Sequence, residues 1–301
     1  MDSIKDISFP NLGLYFSDLP EEFTIFGREI KIYAIIIAAA FFIALLLAGR
    51  EAKKTKQDSE LYLDAFLVTV IPALIGARMY YVIFEWDSFK DNWKSMFYIW
   101  QGGLAIYGGV IVGVLTLYLF SRVRKQSFGL IVDTLVPGLA LGQCLGRWGN
   151  FFNREAFGGN CDSLFAMRIP VDGIHVQYSS AVTTVTPESG LAYVQVQPTF
   201  LYESLLCLTI FVILLLLRRK KKVDGEVFLL YAFLYGLGRF VIEGMRTDQL
   251  VLCTIGETAI PVSQVVAILF MIVAVILFVV GRKRKENAYF LEEDDSEGES
   301  L

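Results

Sequence analysis

The thirteen residues Gly146 to Gly158, GRWGNFFNREAFG, place two arginines, two asparagines, a glutamate and three glycines where an apolar run meets a long polar loop. If the preceding helix continues through them, Arg147, Asn150 and Arg154 stand at i, i+3 and i+7 and share one face. Gly149 and Gly158 would let another backbone come close. Such a face is a site for an anionic group, and a planar guanidinium suits phosphate oxygens. The same fragment also reads as a glycine-frayed helix end whose arginines reach for a membrane surface. Position in the whole chain has to decide.

A chain of 301 residues that is 55% hydrophobic and 14% aromatic, with a mean hydropathy of +0.53, is too apolar for an ordinary soluble domain. It reads as an all-α polytopic membrane protein with seven transmembrane helices and a small external β-containing loop. Apolar runs at 29–49, 61–84, 100–121, 127–147, 199–217, 226–244 and 262–281 each approach the ~20 residues needed to cross hydrocarbon. Basic clusters at Arg50 to Lys56, Arg122 to Lys125, Arg218 to Lys222 and Arg282 to Lys285 follow the odd-numbered runs. The intervening loops hold only Lys90, Lys94, Arg154, Arg168 and Arg246. The positive-inside rule then puts the N-terminus outside and the C-terminus in the cytoplasm. The expected organisation is an external or interfacial segment 1–28, helices one to four over 29–147 and an external loop 148–198. Helices five to seven over 199–281 and a basic-then-acidic cytoplasmic tail 282–301 complete it.

On this layout the membrane-embedded polar residues fall at one depth. Tyr33 enters the first span, Arg78 lies near the outer end of the second and Tyr107 a turn or two into the third. Arg147 closes the fourth, Tyr202 and Glu203 open the fifth, and Tyr235, Arg239 and Glu243 occupy the outer end of the sixth. At ~1.5 Å per residue, all lie within roughly ten ångströms of the outer boundary. Charges in hydrocarbon face a cavity or one another, so coincident depth on six helices points to a pocket. Arg239 and Glu243, at i and i+4, also read as an intrahelical ion pair. Three embedded arginines with fewer clear acidic partners suggest an anion. With no Walker loop and no cytoplasmic domain of any size, the phosphate belongs best to a lipid head group.

Other features read more plainly. Gly138, Gly142 and Gly146, and Gly109 and Gly113, repeat every four residues and predict close helix packing. Cys144 and Cys207 read as packing residues, while Cys161 and Cys253 fall in loops on the same side, where a disulfide could join them. Without CxxC spacing and with a single histidine, no zinc or haem site is expected, nor any soluble cofactor. Val, Tyr and Thr recur in 174–197 around Pro187 to Gly190, which predicts a small β element with His175 as a solvated strand residue. Residues 1–28 carry no readable motif, and the acidic tail is too charged to fold alone.

The motif GRWGNFFNREAFG resembles the signature of bacterial prolipoprotein diacylglyceryl transferase along its full length. The resemblance extends to WQGGLAIYGG from Trp100, QPTFLYE at 197–203, YGLGRFVIEGMR at 235–246 and the YAII stretch from Tyr33. It implies transfer of the diacylglyceryl group of phosphatidylglycerol to the lipobox cysteine of a preprolipoprotein, with glycerol phosphate leaving. The implied partners are phosphatidylglycerol, lipobox peptides and the membrane, with no nucleic acid. By the same resemblance Arg147 and Arg239 bind the lipid phosphate and stabilise charge on the leaving oxygen. Asn150, Glu155 and Gly158 shape that pocket, Tyr33, Tyr235 and Glu243 match further functional positions, and Arg78 has a supporting role. Well-known members carry a histidine where this chain has Tyr107, so a base at that point is in doubt.

The nucleophile in such a reaction comes with the substrate, so no serine or cysteine of the enzyme is needed. A thiol of ordinary pKa ≈ 8.5 must lose its proton, and nearby guanidiniums favour the thiolate. A neutral phenol is a poor base at neutral pH, so Tyr107 is expected to position a reactant. A transporter or flippase binding an anionic lipid is the alternative reading. Against it, the polar layer is confined to one half of the span, and no paired discontinuous helices stand out.

Overall fold

The computed structural model describes residues 3–298 apart from 26, 91, 100, 101, 176–180, 189, 248–250, 256 and 257. At 25, 255, 258, 259 and 285–298 it describes the backbone alone. Seven α-helices run through the described residues: α1 Ile32–Lys54, α2 Glu60–Phe84, α3 Ile106–Val123, α4 Phe128–Phe152, α5 Thr199–Leu217, α6 Glu226–Glu243 and α7 Val262–Gly298. Six are long and apolar enough to cross a membrane. The exception is α6, whose 18 residues include Glu226, Arg239 and Glu243. Charge, rather than length, sets it apart. The chain is a polytopic helical membrane protein carrying small sheets.

Two compact units are distinguishable, Met1–Ala44 with Val136–Leu301, and Leu45–Leu135. In the first unit, Val136 and Ala140 of α4, Ile210 and Leu214 of α5, and Val227 and Tyr231 of α6 form one apolar cluster. A second cluster joins Phe151, Phe157 and Phe200 to strand residues. In the other unit, Ala48, Ala52, Tyr62, Ala65, Phe120 and Ile131 pack together.

The sheet corrects the reading of the N-terminus. Strands β1 Ile7–Phe9 and β2 Leu14–Phe16 belong to a five-stranded sheet with β5 Met167–Pro170, β6 Thr184–Val185 and β7 Tyr193–Val196, in the order β2-β1-β5-β7-β6. β1 pairs antiparallel with β5 at Ser8 and Arg168. Ile7 and Phe9 are buried because their partners come from far along the chain, a pairing that local patterning cannot reveal. Two hairpins complete the strands, β3 Glu22–Ile25 with β4 Arg28–Lys31, and β8 Val251–Ile255 with β9 Thr258–Pro261. The β element expected within 174–197 is thus part of a larger sheet. His175 lies outside its strands, exposed and 3.5 Å from Glu21 through Nε2; Ser189 of the expected turn lies outside the described residues.

Three boundaries also differ from expectation. α3 starts at Ile106 rather than at 100, because Gly102 and Gly103 take φ of 87° and 70°, which no right-handed helix admits. Tyr107 is therefore the second residue of its helix, not one or two turns inside. α4 continues to Phe152, so Arg147 and Asn150 do share a helical face. α7 runs on through the acidic stretch to Gly298, so the tail, expected to be too charged to fold alone, is helical as the continuation of a span. It extends a helix already nucleated by an apolar span, so the nucleation cost does not recur. All four cysteines, Cys161 and Cys253 included, are free thiols.

The closest helix crossing in the second unit is not at the expected glycines. Gly109 and Gly113 make ordinary contacts with Ala73 and its neighbours on α2. The tight approach is at Gly76 and Gly108, where a Cβ on Gly76 would lie 2.8 Å from the Gly108 carbonyl oxygen. A carbonyl cannot swing aside as a side chain can. Gly108→Ala is expected to cost about 1–3 kcal/mol, the usual penalty of overpacking, read as an earlier unfolding midpoint in detergent. Gly142→Ala, with nothing within 4 Å of the new methyl, is expected to leave that midpoint unchanged.

Candidate active site

The end of α4, the start of α5 and the end of α6 bring five charged side chains together. Glu203, buried on the first turns of α5, receives Arg147 Nε on Oε2 at 2.5 Å and Arg239 Nη1 on Oε1 at 2.8 Å. Arg246 Nη1 stands 3.7 Å from the same Oε1. One turn back along α6, Arg239 Nη2 meets Glu243 Oε2 at 2.6 Å. Ser263 at the start of α7 donates to Glu243 Oε1 at 2.6 Å. Arg147 spends only its Nε on Glu203, and its Nη1 and Nη2 have no partner among the described residues.

Glu203 and Arg246 were undervalued in the sequence. Glu203 stood in the polar layer and Arg246 looked like a loop charge, yet Glu203 spaces the two arginines singled out there. The signal was available in its depth, level with Arg147 and Arg239, and in the need of a buried guanidinium for a counter-charge. Behind this cluster Tyr235 stacks on Tyr231 at 5.5 Å between ring centres, and Tyr231 donates to Gln143 Oε1 at 2.9 Å. Tyr235 is thereby held on the α6 face that carries Arg239.

One turn beyond Arg147, Asn150 donates through Nδ2 to Glu155 Oε1 at 2.8 Å, and Asn153 donates to the same oxygen at 3.2 Å. The backbone N–H of Glu155 also bonds back to the Asn150 carbonyl at 3.1 Å. Gly149 faces the ring of Tyr33, which occupies the space that a Cβ would need. Tyr33 lies within electrostatic reach of both Glu155 and Arg147. Asn150, Glu155 and Tyr33 thus gather beside Arg147.

Arg154 does not join them. It leaves the helix with φ of 52°, so its side chain departs from the expected face. Fully buried, it donates to Glu21 Oε1 at 2.6 Å, to the carbonyls of Lys5 and Leu19 at 2.8 Å each, and to that of Phe152 at 3.2 Å. Burial pushes its pKa below the ordinary arginine value, while Glu21 and Asp6 pull it back up. Gly158 also acts through its backbone: it donates to the Gln197 carbonyl at 2.9 Å and bridges Arg246. A Cβ there would meet Gln197 Cβ at 2.8 Å and the Met245 carbonyl oxygen at 2.9 Å. Gly158 lets the segment carrying Arg246 approach.

In the second unit, Arg78 is buried and spends its guanidinium on backbone. Nε donates to Met96 O at 2.8 Å, Nη2 to Ser95 O at 2.7 Å, and Nη1 to Gly102 O and Gly103 O at 2.8 and 2.9 Å. The rings of Tyr81 and Phe89 flank it. These bonds fold the loop that leads into α3 and Tyr107. Arg78→Lys replaces a fork by a point charge and is expected to sharpen hydrogen exchange in residues 92–105 by ten-fold or more, with α2 itself unaffected. Tyr107 packs its ring 6.5 Å from that of Tyr80. Among the described residues, no group of three or more His, Cys, Asp or Glu could hold a metal ion.

Fold and site together define a polytopic membrane protein with a carboxylate-spaced arginine cluster. Residues 20–280 match the family model described as Prolipoprotein diacylglyceryl transferase, and the chain belongs to that family. Proteins named phosphatidylglycerol--prolipoprotein diacylglyceryl transferase are similar over most of their length. The one from Listeria welshimeri is 42% identical over 265 residues, 88% of this chain and 90% of its own. That from Oceanobacillus iheyensis is 43% identical over 258 residues, 85% and 86% of the two chains. That from Clostridium botulinum is 39% identical over 273 residues, 90% and 99%.

Proposed function

We propose that this protein transfers the diacylglyceryl group of phosphatidylglycerol to the lipobox cysteine thiol of preprolipoproteins, forming a thioether and releasing glycerol phosphate. The observation that carries the reading is the arginine cluster around Glu203, in which Arg147 keeps both terminal nitrogens open, in a chain of this family. Arg147 offers its two terminal nitrogens to the lipid phosphate, and Arg239, braced between Glu203 and Glu243, adds charge beside the leaving oxygen. As the thiol sulfur attacks the glycerol carbon, the carbon–oxygen bond breaks and its electron pair moves onto the phosphate. The cluster favours that second negative charge more than it favours the diester, which is what lowers a barrier.

Tyr33 and Tyr235 line the lipid side of this pocket, and Asn150, Glu155 and Gly158 set its shape. Glu243 orients Arg239. By the family resemblance Arg78 has a supporting role and Tyr107 positions a reactant. The protein sits in a bacterial plasma membrane with its N-terminus outside and its C-terminus in the cytoplasm, which opens the pocket toward the outer leaflet. Purified protein incubated with labelled phosphatidylglycerol and a lipobox peptide is expected to give a diacylglyceryl thioether and glycerol phosphate. Lipid movement between leaflets without thioether would overturn the reading in favour of a carrier.

A further inference from the structure

We infer that Glu155 is the group that takes the proton from the acceptor thiol, with Asn150 and Asn153 fixing its carboxylate for that task; the inference rests on the transfer reaction proposed above. Both amides donate to Oε1 and neither to Oε2. Oε2 has no partner among the described residues and is not sealed from solvent. One oxygen is anchored and the other is open, which is how a positioned base is built. A purely structural carboxylate closing the end of α4 would gain by sharing its two donors between two oxygens.

The surroundings suit the task. Tyr33 of α1 lies within electrostatic reach of both Glu155 and Arg147. Arg154, next in sequence, turns its guanidinium away to Glu21 and the Lys5 and Leu19 carbonyls, leaving Glu155 unpaired by it. The charges balance during the step. The S–H proton moves to Glu155 Oε2, the sulfur–carbon bond forms, and the carbon–oxygen bond breaks with its electron pair going to the phosphate. The carboxylate loses one negative charge as the leaving phosphate gains one, so the site keeps its net charge. Glu155 then passes the proton to solvent or to the departing glycerol phosphate. This assignment meets the need that a tyrosine at position 107 leaves open.

Glu155→Gln separates this role from a structural one, because its amide oxygen still accepts from both asparagines while the carboxylate is gone. With full-length protein, phosphatidylglycerol and a lipobox peptide, kcat at pH 7 is expected to fall about hundredfold, with KM for the lipid within about twofold. The deficit is expected to shrink to about tenfold or less at pH 9, where the thiol ionises unaided. Glu155→Asp is expected to recover part of the activity at pH 7. A kcat within threefold of the parent at pH 7, or a deficit equal at pH 7 and pH 9, or a loss confined to lipid KM, would overturn the assignment. Should Glu155→Gln fail to fold, Asn153→Ala carries the test: it frees one anchor and is expected to give a smaller deficit with the same dependence on pH, a flat deficit again overturning it. Failure of the parent protein itself to make thioether would instead strike the transfer reaction.

Discussion

Glu203→Leu is expected to abolish transfer and to cost about 3–5 kcal/mol of stability, the range found when one partner of a buried ion pair is removed. The carboxylate touches Arg147 and Arg239 directly and lies near Arg246, so its loss takes from these guanidiniums the carboxylate they share. Repulsion should open the cluster, and no ligand geometry would survive. Thermal unfolding in detergent reads the stability, and the thioether assay reads the activity. The double variant Glu203→Leu with Arg147→Met is expected to be more stable than Glu203→Leu alone, since it removes one of the stranded charges. If adding Arg147→Met lowered stability further by the full amount of the single change, the two residues would not be coupled as the ion pair requires.

Arg154→Met is the second large effect. The side chain is wholly buried and holds three carbonyls and Glu21. Removing it takes the guanidinium from Glu21 and the donor from the Leu19 carbonyl, each such orphan costing about 1–3 kcal/mol, while the Lys5 carbonyl keeps the Leu19 N–H. The segment from Lys5 to Glu21, which carries β1 and β2, should detach first. Limited proteolysis is expected to cut between residues 10 and 21 at least ten-fold faster than in the parent. Glu21→Gln is expected to have a smaller effect, because the carbonyl bonds of Arg154 remain. Equal cleavage rates for Arg154→Met and the parent would mean that the sheet holds the N-terminus without the arginine.

These two residues also mark what the sequence did and did not disclose. Helix positions were legible because apolar runs of membrane-spanning length leave a one-dimensional trace, and α2, α5 and α6 begin and end within a residue or two of expectation. Shared depth brought Arg147, Arg239 and Glu243 into view, because distance along a helix converts directly into height. Depth does not give direction. Arg154 sits seven residues after Arg147 on a helical wheel, but the helix ends at Phe152 and the arginine turns to the N-terminal segment. Arg78 likewise shared the layer, while its guanidinium is bound to four loop carbonyls. The strands of residues 7–16 were hidden because their burial depends on partners beyond residue 166, and three-residue strands carry almost no period of their own.

The pairing of Ser8 with Arg168 has a consequence for how the molecule is made. During synthesis the β1–β2 hairpin lacks its β5 neighbour until the chain has been extended past residue 168, and Arg147 is made before the helix bearing Glu203 exists. An isolated arginine in a membrane helix costs about 2.5–3.5 kcal/mol on insertion scales, so α4 should remain at the interface or beside the translocation machinery until α5 follows. Assembly of the arginine cluster is then a late event in biogenesis, waiting on α5 and α6.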